Sequence, residues 1–153
     1  MKLMKYRLSR ISRQKQSVII DTLDMIMILY PQVNIKSVDD KGRGHNSQYP
    51  NNKTSISLSP MDVDVYSLDQ VRWIIAHEFG HHVLNTAIQH GYDVSQVKNS
   101  EHLIEFANDV DKNIDTFWNE LFADSFAASI FLEKREIFQE LVDGAYQIIK
   151  ESV

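Results

Sequence analysis

The chain contains no cysteine among its 153 residues. Disulfide frameworks, thiolate catalysis and cysteine-based zinc sites are therefore excluded, so any bound metal must be held by histidine and carboxylate side chains. Long apolar runs are also lacking, because the best candidate, residues 18–30, is interrupted by Asp21, Thr22 and Asp24. We therefore expect neither a signal peptide nor a membrane span, and we expect a cytoplasmic location.

The composition is typical of a globular protein, with 43% apolar, 10% aromatic and 24% charged residues. A chain of this length fits one ordinary domain, so a single domain over residues 1–153 is predicted. The net charge of −5 argues against a protein that coats nucleic acid.

Acidic residues are absent from positions 1–15, which carry six basic ones: Lys2, Lys5, Arg7, Arg10, Arg13 and Lys15. This segment is either a solvated, flexible start of a helix or a docking arm for an acidic partner or nucleic acid. A solvated surface is the more common use of such a charge run.

The apolar pattern predicts a helix over residues 17–30 that Pro31 stops. Alternating residues at Val33–Lys36 and Thr54–Leu58 are typical of short strands, which predicts a small sheet. The polar stretch of residues 39–52 between them, which contains His45, is expected to form a loop.

The clearest element begins at Ser67, where Ser67 and Gln70 match a capping box. A helix is predicted from there to about His90, with Gly91 as its C-cap. This helix is apolar almost all round, which is typical of a buried helix. Its small residues mark where another backbone could approach closely: Ala76, Gly80 and Ala87.

Further helices are predicted in the C-terminal half of the chain. Ser100 is a candidate cap for a short helix over residues 101–110, and Asp115 or Thr116 for a longer one that runs to Leu132. A last helix is expected from about Glu133 to Lys150.

The buried helix carries an HExxH motif at His77, Glu78 and His81. Two histidines four residues apart project from one helix face, so both imidazoles can reach one metal ion. Glu78 lies on the flank of that pair, where it is suited to accept a proton from a water activated by the metal. The same pattern would arise by chance in about one random chain in a hundred of this composition, so a metal site is favoured over two core histidines.

A catalytic zinc needs a third protein ligand and an open fourth position. Glu120 and Asp124 lie four residues apart among apolar residues, so one could bind the metal while the other accepts a histidine N–H. Ala123 and Ala127 would let their helix approach the HExxH helix closely. His102 is the second candidate for the third ligand, although no carboxylate pattern accompanies it.

The segments His77-Glu-Phe-Gly-His81 and Glu120-x-x-Ala-Asp124-x-Phe-Ala resemble the ImmA/IrrE family of zinc metallopeptidases, which are of the gluzincin type. The resemblance covers about 35 to 40 residues, although the order of elements along the chain also fits. It implies an α+β, mainly helical, zincin-like single domain with a small antiparallel sheet packed beside the HExxH helix.

The resemblance also implies zinc ligands at His77, His81 and Glu120, a general base at Glu78 and a supporting role for Asp124. The expected activity is that of an intracellular endopeptidase whose substrate is a protein such as a transcriptional regulator, often encoded on a prophage. Two other interpretations stay open at this point: a zinc-binding interaction module without turnover, and a SprT-like protease that uses His102 as its third ligand.

Overall fold

The computed structural model describes residues 4–42, 54–132 and 136–152. The chain divides into two compact units, Met1–Ile75 and Ala76–Val153, and the boundary falls within one long helix. His45 and most of the predicted loop lie outside the described residues. No helix in the described part of the chain is long and apolar enough to cross a membrane.

The N-terminal unit contains a three-stranded sheet formed by β1 (Lys5–Arg7), β2 (Ser37–Asp39) and β3 (Ser55–Ser57). The strands are ordered β1-β2-β3, and both pairings are parallel. The expectation of an antiparallel sheet was wrong. Parallel neighbours need a crossover connection, and the helix between β1 and β2 supplies one. A strand as early as Lys5 was not expected from the sequence, because three residues carry too little alternation to be recognised.

The first helix, α1 (Arg13–Leu29), begins four residues earlier than its apolar pattern predicted. It does so because the side chain of Ser12 caps its N-terminus by accepting a hydrogen bond from the backbone N–H of Lys15. The helix ends at Leu29, one residue before the predicted end at Tyr30.

The described part of the basic segment is folded rather than a free arm. Lys5 and Arg7 lie in β1, and the Lys15 Nζ donates to the carbonyl oxygens of Val63 and Asp64 at 2.8 and 2.6 Å. Those carbonyls lie at the end of the short helix α2 (Pro60–Val65), where a cation complements the helix dipole. At least one of the basic side chains therefore has a structural role.

The helix that carries HExxH is α3 (Leu68–Gln89), close to its predicted bounds. Its capping box is confirmed, since Ser67 Oγ accepts from the Gln70 N–H at 3.1 Å and Gln70 Oε1 accepts from the Ser67 N–H at 2.8 Å. Gly91 has a φ of 95°, which is the left-handed conformation expected after a helix end.

The described part of the C-terminal unit contains four more helices: α4 (Ser95–Lys98), α5 (Glu101–Asp109), α6 (Ile114–Phe131) and α7 (Glu136–Glu151). Ser100 caps α5 as predicted, with its Oγ accepting from the Leu103 N–H at 3.3 Å. The cap of α6 is Asn113, rather than Asp115 or Thr116, because its Oδ1 accepts from the Asp115 N–H at 2.8 Å. The one-turn helix α4 has no amphipathic pattern and was not expected from the sequence.

The core of the C-terminal unit lies where α3 packs on α6. Phe79, Phe122 and Phe126 are fully buried, and the rings of Phe79 and Phe126 stack with their centroids 5.6 Å apart. Burial of such aromatic side chains is the main source of stability in a unit of this size. The same packing fixes α3 and α6 against each other.

Candidate metal centre

Three side chains converge where α3 meets α6. His77, His81 and Glu120 each offer a ligand atom, and these atoms all lie within 4.8 Å of one another. The Nε2 atoms of the two histidines are 3.1 Å apart. Glu120 Oε2 lies 3.0 Å from the Nε2 of His77, and Glu120 Oε1 lies 3.2 Å from that of His81. These three residues could hold a metal ion.

The spacing of the ligand atoms fits a small tetrahedral ion. Zinc lies about 2.0–2.1 Å from nitrogen and carboxylate ligands, so two ligands in a tetrahedral arrangement are about 3.3 Å apart. The separations of 3.0 to 3.2 Å in the cluster are only slightly shorter. Two histidines and one carboxylate also leave a fourth position for water or substrate, which is the donor set of a catalytic zinc site.

Asp124 orients the ring of His77. The carboxylate Oδ1 of Asp124 accepts a hydrogen bond from the Nδ1–H of His77 at 2.7 Å. Because Nδ1 carries this hydrogen, the lone pair of the neutral imidazole is on Nε2, the atom that faces His81 and Glu120. Asp124 therefore lies in the position expected for it from the sequence.

The protonation of His77 follows from these two carboxylates. Burial alone would lower its pKa, but the hydrogen bonds to Asp124 and Glu120 outweigh burial and raise the pKa from 6.5 to about 10. The same hydrogen bonds from His77 and His81 hold the pKa of Glu120 well below its usual range. In the absence of a metal, the cluster therefore exists as an ion pair in which His77 carries the positive charge.

Asn119 orients the ring of His81, as Asp124 orients that of His77. This role of Asn119 was not predicted from the sequence. Its Oδ1 accepts a hydrogen bond from the Nδ1–H of His81 at 2.7 Å, so the Nε2 of His81 also faces the cluster. The only available signal was its position next to Glu120. A neutral amide gives little indication of function in a sequence, whereas a carboxylate among apolar residues does.

Glu78 is half-buried and is not a member of the three-residue cluster. Burial raises its pKa, the charges of His81 and His77 oppose that shift, and the charge of Glu120 adds to it. A carboxylate whose pKa is raised toward neutrality is a better proton acceptor than an exposed glutamate. The raised pKa of Glu78 is consistent with the role of general base that the motif predicts.

A glycine allows α3 and α6 to come close enough to build the cluster. A Cβ placed on Gly80 would lie 2.8 Å from the Cβ of Phe126 and 3.0 Å from the Cα of Ala123. Only glycine fits this approach without movement. The predicted close approach of the two helices is therefore confirmed at Gly80 and Ala123.

Three histidines of the described residues lie outside the cluster: His82, His90 and His102. His82 is 2% exposed and therefore buried, but it is not part of the only metal-binding group found in the described residues. His102 is exposed on α5 and lines a separate groove with residues of α7. The use of His102 as the third ligand is therefore not supported, and Glu120 occupies that place in the cluster.

Comparison of the chain with protein-family models, curated proteins and solved structures gave no match. The resemblance to the ImmA/IrrE family therefore rests on the two motifs themselves. The chemistry of the site has to be argued from the residues of this chain.

Proposed function

We propose that this protein is a zinc-dependent endopeptidase of the gluzincin type, similar in its centre to the ImmA/IrrE family. The observation that supports this most directly is the convergence of His77, His81 and Glu120, with both imidazole Nδ1 atoms engaged elsewhere. A purely structural ion pair would not need two histidines held with their Nε2 atoms aimed at one point. A metal ion does.

A zinc ion bound there would act as a Lewis acid that polarises the peptide carbonyl and lowers the pKa of water. The half-buried Glu78 accepts the proton of the attacking water and returns it to the leaving amine. Asp124 and Asn119 keep His77 and His81 in a single orientation, so that no rearrangement is needed during the reaction.

Access to the centre is uneven. The side chains of His77 and His81 are 12% and 7% exposed, whereas that of Glu120 is 51% exposed. A substrate would therefore enter on the Glu120 side of the cluster. This exposure also suits an open ligand position, because a purely structural site is normally closed.

The substrate that we propose, on the strength of the family resemblance, is an intracellular protein such as a transcriptional regulator, cleaved in the cytoplasm. A zinc-binding interaction module without turnover is the competing interpretation. The presence of Glu78 argues against it, because a structural zinc site has no use for a half-buried carboxylate beside the ligands.

The first test is metal analysis of the purified chain and of two variants by plasma mass spectrometry. We expect about one zinc per chain in the wild type, loss of zinc in Glu120→Ala, and wild-type zinc in His102→Ala. Retention of zinc by Glu120→Ala together with its loss in His102→Ala would contradict the ligand assignment.

The second test addresses catalysis, with Glu78→Gln as the variant that keeps the shape of the side chain. Zinc-loaded wild type and variant would be incubated with a peptide library, and the new termini identified by mass spectrometry. We expect the variant to keep its zinc and to lose at least a hundredfold in cleavage rate, since general base catalysis contributes about 10²–10⁴-fold. Equal cleavage by both proteins would exclude Glu78 as the base, and no cleavage by either would favour the interaction module.

A further inference from the structure

Phe117 is a large aromatic residue that α6 leaves at the surface. It is 41% exposed, whereas Phe122 and Phe126 of the same helix are fully buried. A single exposed aromatic residue is common on protein surfaces and by itself indicates no function. The significance of Phe117 comes from its position on the helix, one turn before the cluster residue Glu120.

Phe117 belongs to the face of α6 that carries the cluster. It precedes Glu120 by three residues and Asp124 by seven, and residues at these intervals lie on one side of a helix. Glu120 is the most exposed member of the cluster, with 51% of its side chain accessible, compared with 12% and 7% for the two histidines. The open side of the metal centre is therefore the side of α6 on which Phe117 lies.

The backbone of α6 changes direction at Phe117. Its φ and ψ of −107° and 17° are outside the helical range, and they separate residues 114–117 from the regular helix that follows. Neither proline nor glycine lies between Asn113 and Glu120, so the residues that usually break a helix do not cause this kink. Interruptions within helices are frequent at functional sites. This one comes directly before Asn119 and Glu120, which build the metal centre.

The ring of Phe117 has a charged neighbour on one side. The Nζ of Lys112 lies 5.7 Å from the ring centroid, within the range of a cation–π contact. This contact restrains the ring, while a large part of the residue stays accessible. A restrained aromatic ring loses little conformational entropy when another side chain packs on it, which favours binding.

We propose that Phe117 selects the substrate of the zinc peptidase by packing against an apolar or aromatic side chain next to the peptide bond that is cleaved. The inference rests on the proposed function, because it needs a substrate bound at the metal. The rise over three helical residues is about 4.5 Å, comparable to the distance of about 3.8 Å between neighbouring Cα atoms of a substrate. A glycine or a polar residue at that position of the substrate would leave the ring in water and gain none of this contact.

The test measures binding of two zinc-chelating probes that differ in one side chain, N-acetyl-phenylalanine hydroxamate and N-acetyl-glycine hydroxamate. Calorimetry would compare the zinc-loaded wild-type chain with Phe117→Ala and Phe131→Ala. Phe131 is the matched control, because it is 36% exposed on the same helix. It lies eleven residues beyond Glu120, which is about 16 Å along the helix axis.

The expected result is a side-chain preference that depends on Phe117 alone. The wild type and Phe131→Ala should bind the phenylalanine probe at least about tenfold more tightly than the glycine probe, as burial of apolar area on the ring allows. In Phe117→Ala the ratio of the two affinities should fall below about threefold, because the ring is missing.

Three results would contradict the proposal in different ways. Equal binding of the two probes by the wild type, or an unchanged ratio in Phe117→Ala, would overturn the role of Phe117 and leave the zinc centre standing. An equal fall of the ratio in Phe117→Ala and Phe131→Ala would overturn it as well, because a distant ring would then matter as much. No binding of either probe by the zinc-loaded wild type would contradict an open zinc centre, and therefore the proposed function itself.

Zinc content and thermal stability separate selection of the substrate from a structural role of Phe117. Phe117→Ala is expected to keep the zinc content and nearly the Tm of the wild type, because an exposed side chain contributes little to the fold. Phe117→Leu keeps an apolar side chain and is expected to restore most of the preference for the phenylalanine probe. Loss of zinc in Phe117→Ala without rescue by Phe117→Leu would show instead that the ring supports the metal centre.

Discussion

Substitution of Gly80 by alanine is the most direct way to disturb the metal centre without touching any residue that forms it. The added methyl group would lie 2.8 Å from the Cβ of Phe126 and 3.0 Å from the Cα of Ala123. Neither atom can swing aside, because one is backbone and the other is attached directly to it. The helices α3 and α6 must therefore separate by a few tenths of an ångström or more, and His77 moves away from Glu120.

The expected change in the free energy of unfolding follows from two opposing effects. Replacing glycine by alanine within a helix stabilises it by about 0.5–1 kcal/mol. Overpacking of a filled core costs about 1–3 kcal/mol, and the contact with a backbone atom favours the upper part of that range. We expect a net loss of about 1–2 kcal/mol, which lowers the Tm of a protein of this size by roughly 2–8 °C.

Gly144→Ala is the matched control, because it makes the same exchange in a helix where the new methyl group meets nothing within 4 Å. It should raise the Tm by about 1–4 °C through helix propensity alone. Thermal denaturation of both variants, with zinc affinity from competition with a chelator, tests the reasoning. We expect Gly80→Ala to bind zinc at least about tenfold more weakly and Gly144→Ala to bind it normally. A Gly80→Ala variant with the stability and zinc affinity of the wild type would refute the claim that this contact sets the geometry of the cluster.

Four further predictions concern Asn119, His77 and Ser67. Asn119→Ala removes the acceptor that orients His81 and should weaken zinc binding by about 10–100-fold in chelator competition, whereas Asn119→Asp, which keeps an oxygen there, should retain most of the affinity. The pKa of His77 is raised to about 10 without metal, so zinc must displace the proton of His77 in order to bind. Calorimetry should therefore show a zinc affinity that rises about tenfold per pH unit between about pH 6 and 8. A zinc affinity that does not depend on pH would contradict this. The same shift stabilises the metal-free fold fully below a pH of 6.5, and that stability is lost as the pH rises through about 10, which denaturation of the chelated protein should reveal. Ser67→Ala removes the cap of α3 and should cost about 1 kcal/mol in chemical denaturation, unless the Ser67 hydroxyl contributes nothing to the helix start.

The helices show which helix boundaries can be predicted from local sequence patterns. The start of α3 at Ser67 and its end before Gly91 were predicted, because capping and left-handed conformations depend on neighbours within four residues. The start of α6 was misplaced by a few residues, because Asn113, Asp115 and Thr116 are all good caps and the sequence does not rank them.

The sheet shows where local patterns fail. A strand of three residues shows almost no alternation of apolar and polar residues. Its own residues also do not indicate whether it pairs in a parallel or an antiparallel direction. β1 was missed for the first reason, and the parallel pairing of β2 with β3 for the second. Pairing depends on contacts between distant segments and, for β1 and β2, on the crossover through α1.

The sequence by itself determined that His77 and His81 share a face of a buried helix, because a spacing of four residues is a local property of helical geometry. It also determined that a metal, if present, is bound without cysteine. Tertiary structure alone decided that the Glu120 carboxylate meets both Nε2 atoms, that Asn119 holds His81, and that His102 faces a different groove. The physical reason is distance along the chain: residues some forty positions apart meet only through the packing of α3 on α6, and Gly80 permits that approach.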